Sequence, residues 1–239
     1  MASPAVSLPL PRHPDLERVS RDSLEPATPQ IRLGLDLDGV LADTVAAYAD
    51  IAGVDYDRGT RSTHPSDYTM INDGWFKDHD ELRRATRTMH ADYLDDLSVL
   101  DPEIPAALTH LRESIGHLNI AVVTSRMPGP GEDGAHLRQR TADWLARNNI
   151  FVDRLIMTRD KVSLDLHYLL DDDPRTLVSP MRHPHRNTQE VVPVTVACDW
   201  RYNHPAVWSR ELIDPQALTP YRVGGLPEFT CQLTEVMTR

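Results

Sequence analysis

Cysteine, lysine and long apolar runs are scarce or absent in this chain of 239 residues. The two cysteines, Cys198 and Cys231, are too few for a disulfide framework and lack the spacing of metal ligands, so we expect a reducing, cytoplasmic compartment. Without a run of about 18 apolar residues, no membrane span is expected. The first residues show no basic region followed by an apolar stretch, so no secretory signal is expected either.

Basic residues are outnumbered by acidic ones. The chain has 25 Lys and Arg against 36 Asp and Glu, a net charge of −11. Because proteins that bind nucleic acid polymers cluster basic residues against the phosphates, this balance argues against such a partner. A small anionic substrate stays compatible, since a local site can be positive inside an acidic protein. Only Lys77 and Lys161 are lysines.

Apolar runs separated by helical patterns indicate one α/β domain. The length suits a single domain or one with an insertion. Alternating strands and helices predict a Rossmann-like parallel sheet flanked by helices. The predicted strands are 31–36, 118–124, 154–157, 167–171 and 191–197.

Two stretches interrupt this rhythm. Residues 1–30 contain six prolines and predict a disordered or loosely attached tail. Residues 44–97 suggest a helix, a polar segment and a second helix, which is too long for one crossover. We therefore expect a small helical cap at 44–97, inserted after the first strand into a core made of 31–43 and 98–239.

Carboxylates and hydroxyls follow several predicted strands. Ligands bind at the carboxyl ends of strands in open parallel sheets, so we expect these side chains to meet. Each motif alone has an ordinary interpretation, such as a turn or a solvated loop, but their order along the chain favours a site. They are Asp36 and Asp38, Thr124 and Ser125, and Asp171 and Asp172, with Arg159 and Lys161 in the turn before the last pair.

These residue types suit phosphoryl chemistry. Of the two carboxylates at 36 and 38, one can attack phosphorus and the other can protonate the leaving oxygen and later deprotonate water. Asp171 and Asp172 offer the oxygen ligands that Mg²⁺ prefers. Thr124 can donate a hydrogen bond to the phosphoryl oxygens, and Lys161 can neutralise the phosphate or the nucleophile.

The motifs resemble those of the haloacid dehalogenase superfamily of aspartyl-nucleophile phosphatases. Within it, the chain is most similar to the cytosolic and mitochondrial 5′-deoxyribonucleotidases. In that family a Thr-Arg-Asp-Lys motif stands ten residues before the first Asp of the last motif, and the spacing from Lys161 of Thr158-Arg159-Asp160-Lys161 to Asp171 is the same. The resemblance spans about residues 32–174, with a weaker similarity at Asp199-Trp200-Arg201-Tyr202-Asn203. The other matching motifs are 35–43, 122–125 and 169–174.

The resemblance implies a role for each matched residue. Asp36 would be the nucleophile and a Mg²⁺ ligand, and Asp38 would be the general acid and base and give its backbone carbonyl to the metal. Asp172 would bind Mg²⁺ directly, with Asp171 behind it. The resemblance also implies that Thr124, Ser125 and Arg159 bind phosphate, that Lys161 is the lysine of the third motif, and that Trp75 and Phe76 of the cap contact the base or sugar.

The chain departs from the pattern of that family at three positions. Thr44 stands where the family often has an aromatic residue, Arg126 where it has proline, and Asp173 where it has a basic residue. In that family the positions that match 44 and 173 lie where the base and sugar are held. These two changes therefore bear on the expected substrate more than on the expected chemistry.

The sequence therefore predicts a Mg²⁺-dependent phosphomonoesterase acting through an aspartyl-phosphate, with a nucleoside 5′-monophosphate, deoxy or ribo, as substrate. Three alternatives stay open. The substrate can be a sugar phosphate or another phosphorylated metabolite, the protein can be a non-catalytic relative that binds a nucleotide, or the phosphoryl group can pass to an acceptor other than water.

Overall fold

A six-stranded parallel sheet forms the centre of the computed structural model, which describes Leu10 and residues 31–129, 131, 133–177, 193–203 and 221–238. The strand order is β3-β2-β1-β4-β5-β6, and all five neighbouring pairs are parallel. The strands are β1 (Ile31–Leu35), β2 (Leu118–Thr124), β3 (Arg154–Met157), β4 (Tyr168–Asp171), β5 (Val194–Cys198) and β6 (Tyr221–Val223).

The central strands are apolar because both faces of the sheet are covered. Leu33 and Leu35 of β1, Ile120 and Val122 of β2 and Leu170 of β4 are fully buried. This arrangement confirms the predicted Rossmann-like α/β fold. The predicted strand ends agree with the observed ones to within about three residues, and β6, with only three residues, was not predicted.

Five α-helices that lie wholly within the described residues accompany the strands. Side-chain caps fix where three of them begin. The carboxylate of Asp43 accepts from the amide of Ala46 at 3.1 Å, that of Asp78 from the amides of Asp80 and Glu81 at 3.0 and 2.9 Å, and that of Asp133 from the amide of Ala135 at 2.9 Å. The helices are α1 (Thr44–Ala52), α2 (His79–Thr88), α3 (Ile104–Ser114), α4 (Gly134–Arg147) and α5 (Leu226–Thr238). None of them is long and apolar enough to cross a membrane.

The segment 44–97 leaves the core and returns to it at one place. The amide of Asp43 donates to Ser98 O at 3.0 Å, and that of Leu100 donates to Leu41 O at 2.7 Å. Ala42 and Val99 form an antiparallel bridge between them. The two ends of the segment are thus held side by side, as an insertion requires, while its role as a separate cap stays a prediction.

Within this segment the predicted pair of helices is present. Helix α1 is followed by a 3₁₀ turn at Arg61–Thr63, and α2 continues into a π-helical turn at Met89–Tyr93. The predicted tail at 1–30 lies, apart from Leu10, outside the described residues.

Trp144 joins α4 to the returning end of the 44–97 segment. Its side chain is fully buried, and its Nε1 donates to Leu97 O at 2.8 Å. We expect Trp144→Phe to lower the free energy of unfolding by about 2–4 kcal/mol, because it leaves a buried carbonyl unpaired and a small void. Urea denaturation measures the change. Phe151→Leu, at an aromatic residue that is 66 % exposed, is the control and should change it little.

Candidate active site

The first predicted motif and the last meet across neighbouring strands. Strand β1 pairs with β4 so that Leu35 lies beside Leu170, and the amide of Asp36 donates to Leu170 O at 2.9 Å. Asp36 therefore leaves β1 next to Asp171, the last residue of β4. The strand register alone brings these two carboxylates together at the carboxyl edge of the sheet.

Lys161 lies between these two carboxylates. Its Nζ is 2.7 Å from Asp36 Oδ2 and 2.8 Å from Asp171 Oδ2, and its side chain is 2 % exposed. Burial alone would lower the pKa of this amine, but the two carboxylates raise it overall, so Lys161 stays charged. The structure thus brings the lysine of the third motif to the predicted nucleophile.

Three buried carboxylates share this one buried lysine. Asp36, Asp171 and Asp172 each offer an oxygen, and these oxygens lie within 4.8 Å of one another. Burial raises the pKa of Asp36 to about 8, although Lys161 opposes the rise. Burial and the neighbouring carboxylates hold the pKa of Asp172 well above its usual range as well. This concentration of negative charge, made only of hard oxygen donors, could bind a metal ion.

The segment that follows β5 supports Asp172. The hydroxyl of Tyr202 donates to Asp172 Oδ2, and Asn203 Nδ2 donates to Asp172 O at 3.0 Å and to Cys198 O at 2.6 Å. Trp200 stacks on Tyr202, with ring centroids 5.6 Å apart. Tyr202 and Asn203 had no predicted role in the site, although their position just after a strand end was a signal.

Gly39 lets the loop of the first motif approach Asp172 and Tyr202 closely. Its φ is +73°, and a Cβ at this position would lie 2.2 Å from Asp172 Oδ2. Its carbonyl accepts a hydrogen bond of 2.7 Å from Trp200 Nε1. Any larger residue would both strain the backbone and displace the Asp172 carboxylate.

Asp38 forms an ion pair with an arginine. Its two carboxylate oxygens each lie 3.0 Å from Nε of Arg126, which stands where the resembled family has proline. Both residues border a cavity of about 300 Å³ between the core and the 44–97 segment. Tyr48, Tyr68 and Thr86 line it from that segment.

The three residues predicted to bind phosphate lie at the same edge of the sheet. Thr124 is fully buried, and its Oγ1 accepts from the amide of Arg126 at 3.2 Å. Ser125 and Arg159 are exposed and line both this cavity and an adjoining one of about 510 Å³, which Lys161 also lines.

Trp75 and Phe76 line neither cavity. Phe76 is buried in the core, edge-on to Tyr48 with centroids 6.0 Å apart, and Trp75 lies against Tyr56 at 6.3 Å. Their contact with substrate stays a prediction, and the tyrosines that do line the first cavity are Tyr48, Tyr68 and Tyr202. Tyr48 lies one helical turn after Thr44, a spacing that puts both on one face of α1.

No protein-family model matches the sequence, and no curated protein gives a significant match. Solved structures with similar folds include a hydrolase of the haloacid dehalogenase-like family from Streptococcus pneumoniae, with 13% identity over 74% of this chain and 89% of that one and a TM-score of 0.44. A dehalogenase structure is also similar, with 14% identity over 85% of this chain and 96% of that one and a TM-score of 0.46.

A hydrolase from Pseudomonas syringae is similar to the same degree, with 15% identity over 87% of this chain and 99% of that one and a TM-score of 0.45. Scores and identities this low carry no argument about the reaction. The conclusions on chemistry therefore depend on the residues at the sheet edge.

We expect the buried carboxylates to make the metal-free protein less stable as the pH rises. In the folded protein the pKa of Asp172 lies well above its ordinary value of 3.8, and that of the neighbouring Asp36 is about 8. The stability that these raised pKa values contribute is present below pH 3.8 and is lost as the pH rises towards the pKa of the folded state. Asp172→Asn should lose less stability than wild type between pH 4 and 8. Each kcal/mol difference corresponds to about 2–4 °C in Tm.

The same pair of proteins tests the metal site. Mg²⁺ should raise the Tm of wild type and raise that of Asp172→Asn much less, because the variant lacks one carboxylate of the cluster. Differential scanning fluorimetry with and without Mg²⁺ measures both effects. An equal rise in the two proteins would show that Asp172 is not a ligand.

Proposed function

We propose that this protein is a Mg²⁺-dependent phosphomonoesterase of the haloacid dehalogenase type that acts through an aspartyl-phosphate on Asp36. The observation that carries the proposal is the buried cluster of Asp36, Asp171 and Asp172 around Lys161, placed at the strand ends beside a cavity that Asp38 lines. A nucleophile, a cation, candidate metal ligands and a second carboxylate thus occupy one edge of the sheet.

The surroundings of Asp36 suit a nucleophile. Its Oδ1 accepts from the amide of Leu37 at 2.7 Å, and its Oδ2 faces Lys161, so the carboxylate has one fixed orientation. Asp36, Asp172 and the backbone carbonyl of Asp38 would hold Mg²⁺, with Asp171 behind them. Bound there, the ion would lower the pKa of the carboxylates and the repulsion between Asp36 and an anionic phosphate.

The residues then divide the reaction between them. An oxygen of Asp36 attacks phosphorus and the bond from phosphorus to the ester oxygen breaks, while Asp38 gives its proton to that oxygen. Asp38 next takes a proton from water, whose oxygen attacks phosphorus and breaks the bond to Asp36. Inorganic phosphate leaves, and Lys161, Thr124, Ser125 and Arg159 offset its charge at each stage.

The substrate class that we propose is the nucleoside 5′-monophosphates, ribo or deoxy. The support is the aromatic rings of Tyr48 and Tyr68 on the wall of the cavity that Asp38 also borders, together with the apolar Met70 and Met89. Such a wall can hold a flat base above a phosphate. We further propose that the enzyme works in the cytoplasm on small substrates and not on nucleic acid polymers.

A sugar phosphate or another phosphorylated metabolite is the second candidate. Thr44, Thr86 and Arg126 also line the cavity, and hydroxyls and a guanidinium suit the oxygens of a sugar. The non-catalytic alternative receives no such support, because the residues that the chemistry needs are all present at the sheet edge.

Phosphate release from ribo- and deoxyribonucleoside monophosphates and sugar phosphates tests the reaction. We expect Mg²⁺-dependent release from one group, reduced by at least ~10⁴-fold in Asp36→Asn, because the amide cannot attack phosphorus. Asp165→Asn is the control, since this exposed aspartate pairs with Arg32 away from the site. Equal activity of Asp36→Asn and wild type would reject Asp36 as the nucleophile.

The cavity wall gives a separate test of the substrate class. We expect Tyr48→Leu to raise KM for the best nucleotide by about tenfold with a smaller effect on kcat, because one aromatic contact to the base contributes on the order of 1 kcal/mol. Trp75→Leu is the comparison. A larger rise in KM for the Trp75 variant would favour the contact predicted from the sequence.

A further inference from the structure

Under the cavity a buried arginine grips a partly exposed aspartate. Arg126 Nε is 3.0 Å from both carboxylate oxygens of Asp38, and Arg126 Nη2 also donates to Oδ1. The Arg126 side chain is 1 % exposed, whereas that of Asp38 is 32 % exposed. The guanidinium is therefore a fixed part of the protein, and the carboxylate that it holds is the one that faces the cavity.

The contacts of Arg126 differ from those of arginines that brace the backbone. Arg140 binds both Asp95 and the carbonyl of His90, and Arg112 binds both Asp153 and the carbonyl of Phe151. Among the described residues, the side chain of Arg126 makes its hydrogen bonds to Asp38 alone.

The remaining nitrogen of the guanidinium also indicates that the contact with Asp38 is the main interaction of Arg126. Arg126 Nη1 is buried and has no hydrogen-bond partner in the described part of the chain. Burying a charged group that leaves one donor unpaired costs free energy. In the described part of the chain, the hydrogen bonds to Asp38 are the side-chain contacts of Arg126 that offset this cost.

We propose that Arg126 is a positioning residue that fixes the orientation of the Asp38 carboxylate for proton transfer to the leaving oxygen. The inference rests on the proposed function and concerns one step of it. A proton moves only when donor and acceptor atoms come within about 2.6–3.2 Å, and a partly exposed aspartate on its own samples several rotamers. A planar guanidinium that binds both carboxylate oxygens selects one of these rotamers, which a lysine ammonium cannot do.

The choice of substrate separates this role from a structural one. When an alkyl phosphate ester reacts with Asp36, the ester oxygen leaves with the proton from Asp38. When 4-nitrophenyl phosphate reacts, the electron pair stays on a stabilised phenolate, which leaves without a proton. The ratio kcat/KM covers binding and the steps up to departure of this group, so it excludes the later attack of water.

The experiment compares Arg126→Lys with wild type on both substrates, the alkyl ester being the best one of the phosphate-release panel. We expect kcat/KM for the alkyl ester to fall by about 100-fold, as a misplaced catalytic group typically costs, while the value for 4-nitrophenyl phosphate falls by only a few-fold. Arg112→Lys is the matched control, because Arg112 also pairs with an aspartate and has a buried Nε without a partner among the described residues, but lies near the amino end of β3. It should leave both values unchanged.

A double variant tests the route of the effect. If Arg126 acts through Asp38, adding Arg126→Lys to Asp38→Asn costs no further activity on the alkyl ester. Circular dichroism checks the fold of each variant, and Arg126→Gln replaces the lysine variant should that one be unfolded.

Three results would overturn the proposal: equal losses on the two substrates, no loss on either, or additive losses in the double variant. These outcomes differ from a failure of the proposed function. In that case wild type itself would release phosphate from neither substrate, and the positioning role would fall with it.

Discussion

The buried excess of negative charge at the sheet edge is the constraint on which the site depends. Three carboxylates with oxygens within 4.8 Å share a single buried ammonium, and burial raises the pKa of each carboxyl. An isolated buried charge costs several kcal/mol, so such a cluster persists only if the rest of the fold holds it together. A cation bound at this place would offset part of that cost.

The fold holds the cluster through main-chain geometry more than through side chains. Two of the carboxylates extend from adjacent strands whose register is fixed by buried apolar residues, so neither can move without moving the sheet. The third depends on the hydrogen bonds of Tyr202 and Asn203 and on the close approach of Gly39. The rigid sheet edge is thus what keeps the mutually repelling carboxylates close together.

Much of this arrangement could be predicted from the sequence, because strand ends and carboxylates are local signals. The ten-residue step from Lys161 to Asp171, known only as a spacing, corresponds to a contact of 2.8 Å. Side-chain direction within the 44–97 segment could not be predicted. Trp75 and Phe76 follow a glycine of φ +76°, and a turn of this kind gives no periodicity from which to decide which way a ring points.

The partner of Asp38 was also beyond sequence reasoning. Arg126 was visible only as a departure from a family pattern, and a contact between residues 88 positions apart has no local signature. The contact of Tyr202 with Asp172 has no local signature either, although the position of Tyr202 just after β5 was a signal. Long-range polar contacts are set by tertiary packing, which a single sequence does not display.

The bridge between Ala42 and Val99 has a consequence for how such a protein can change. Because the two ends of the 44–97 segment meet in one antiparallel contact, the segment can be lengthened, shortened or exchanged without shifting a strand. Mutation can thus remodel the roof of the cavity, and with it the range of molecules admitted, while the carboxylates beneath keep their spacing. The strands and the 44–97 segment can therefore change at different rates.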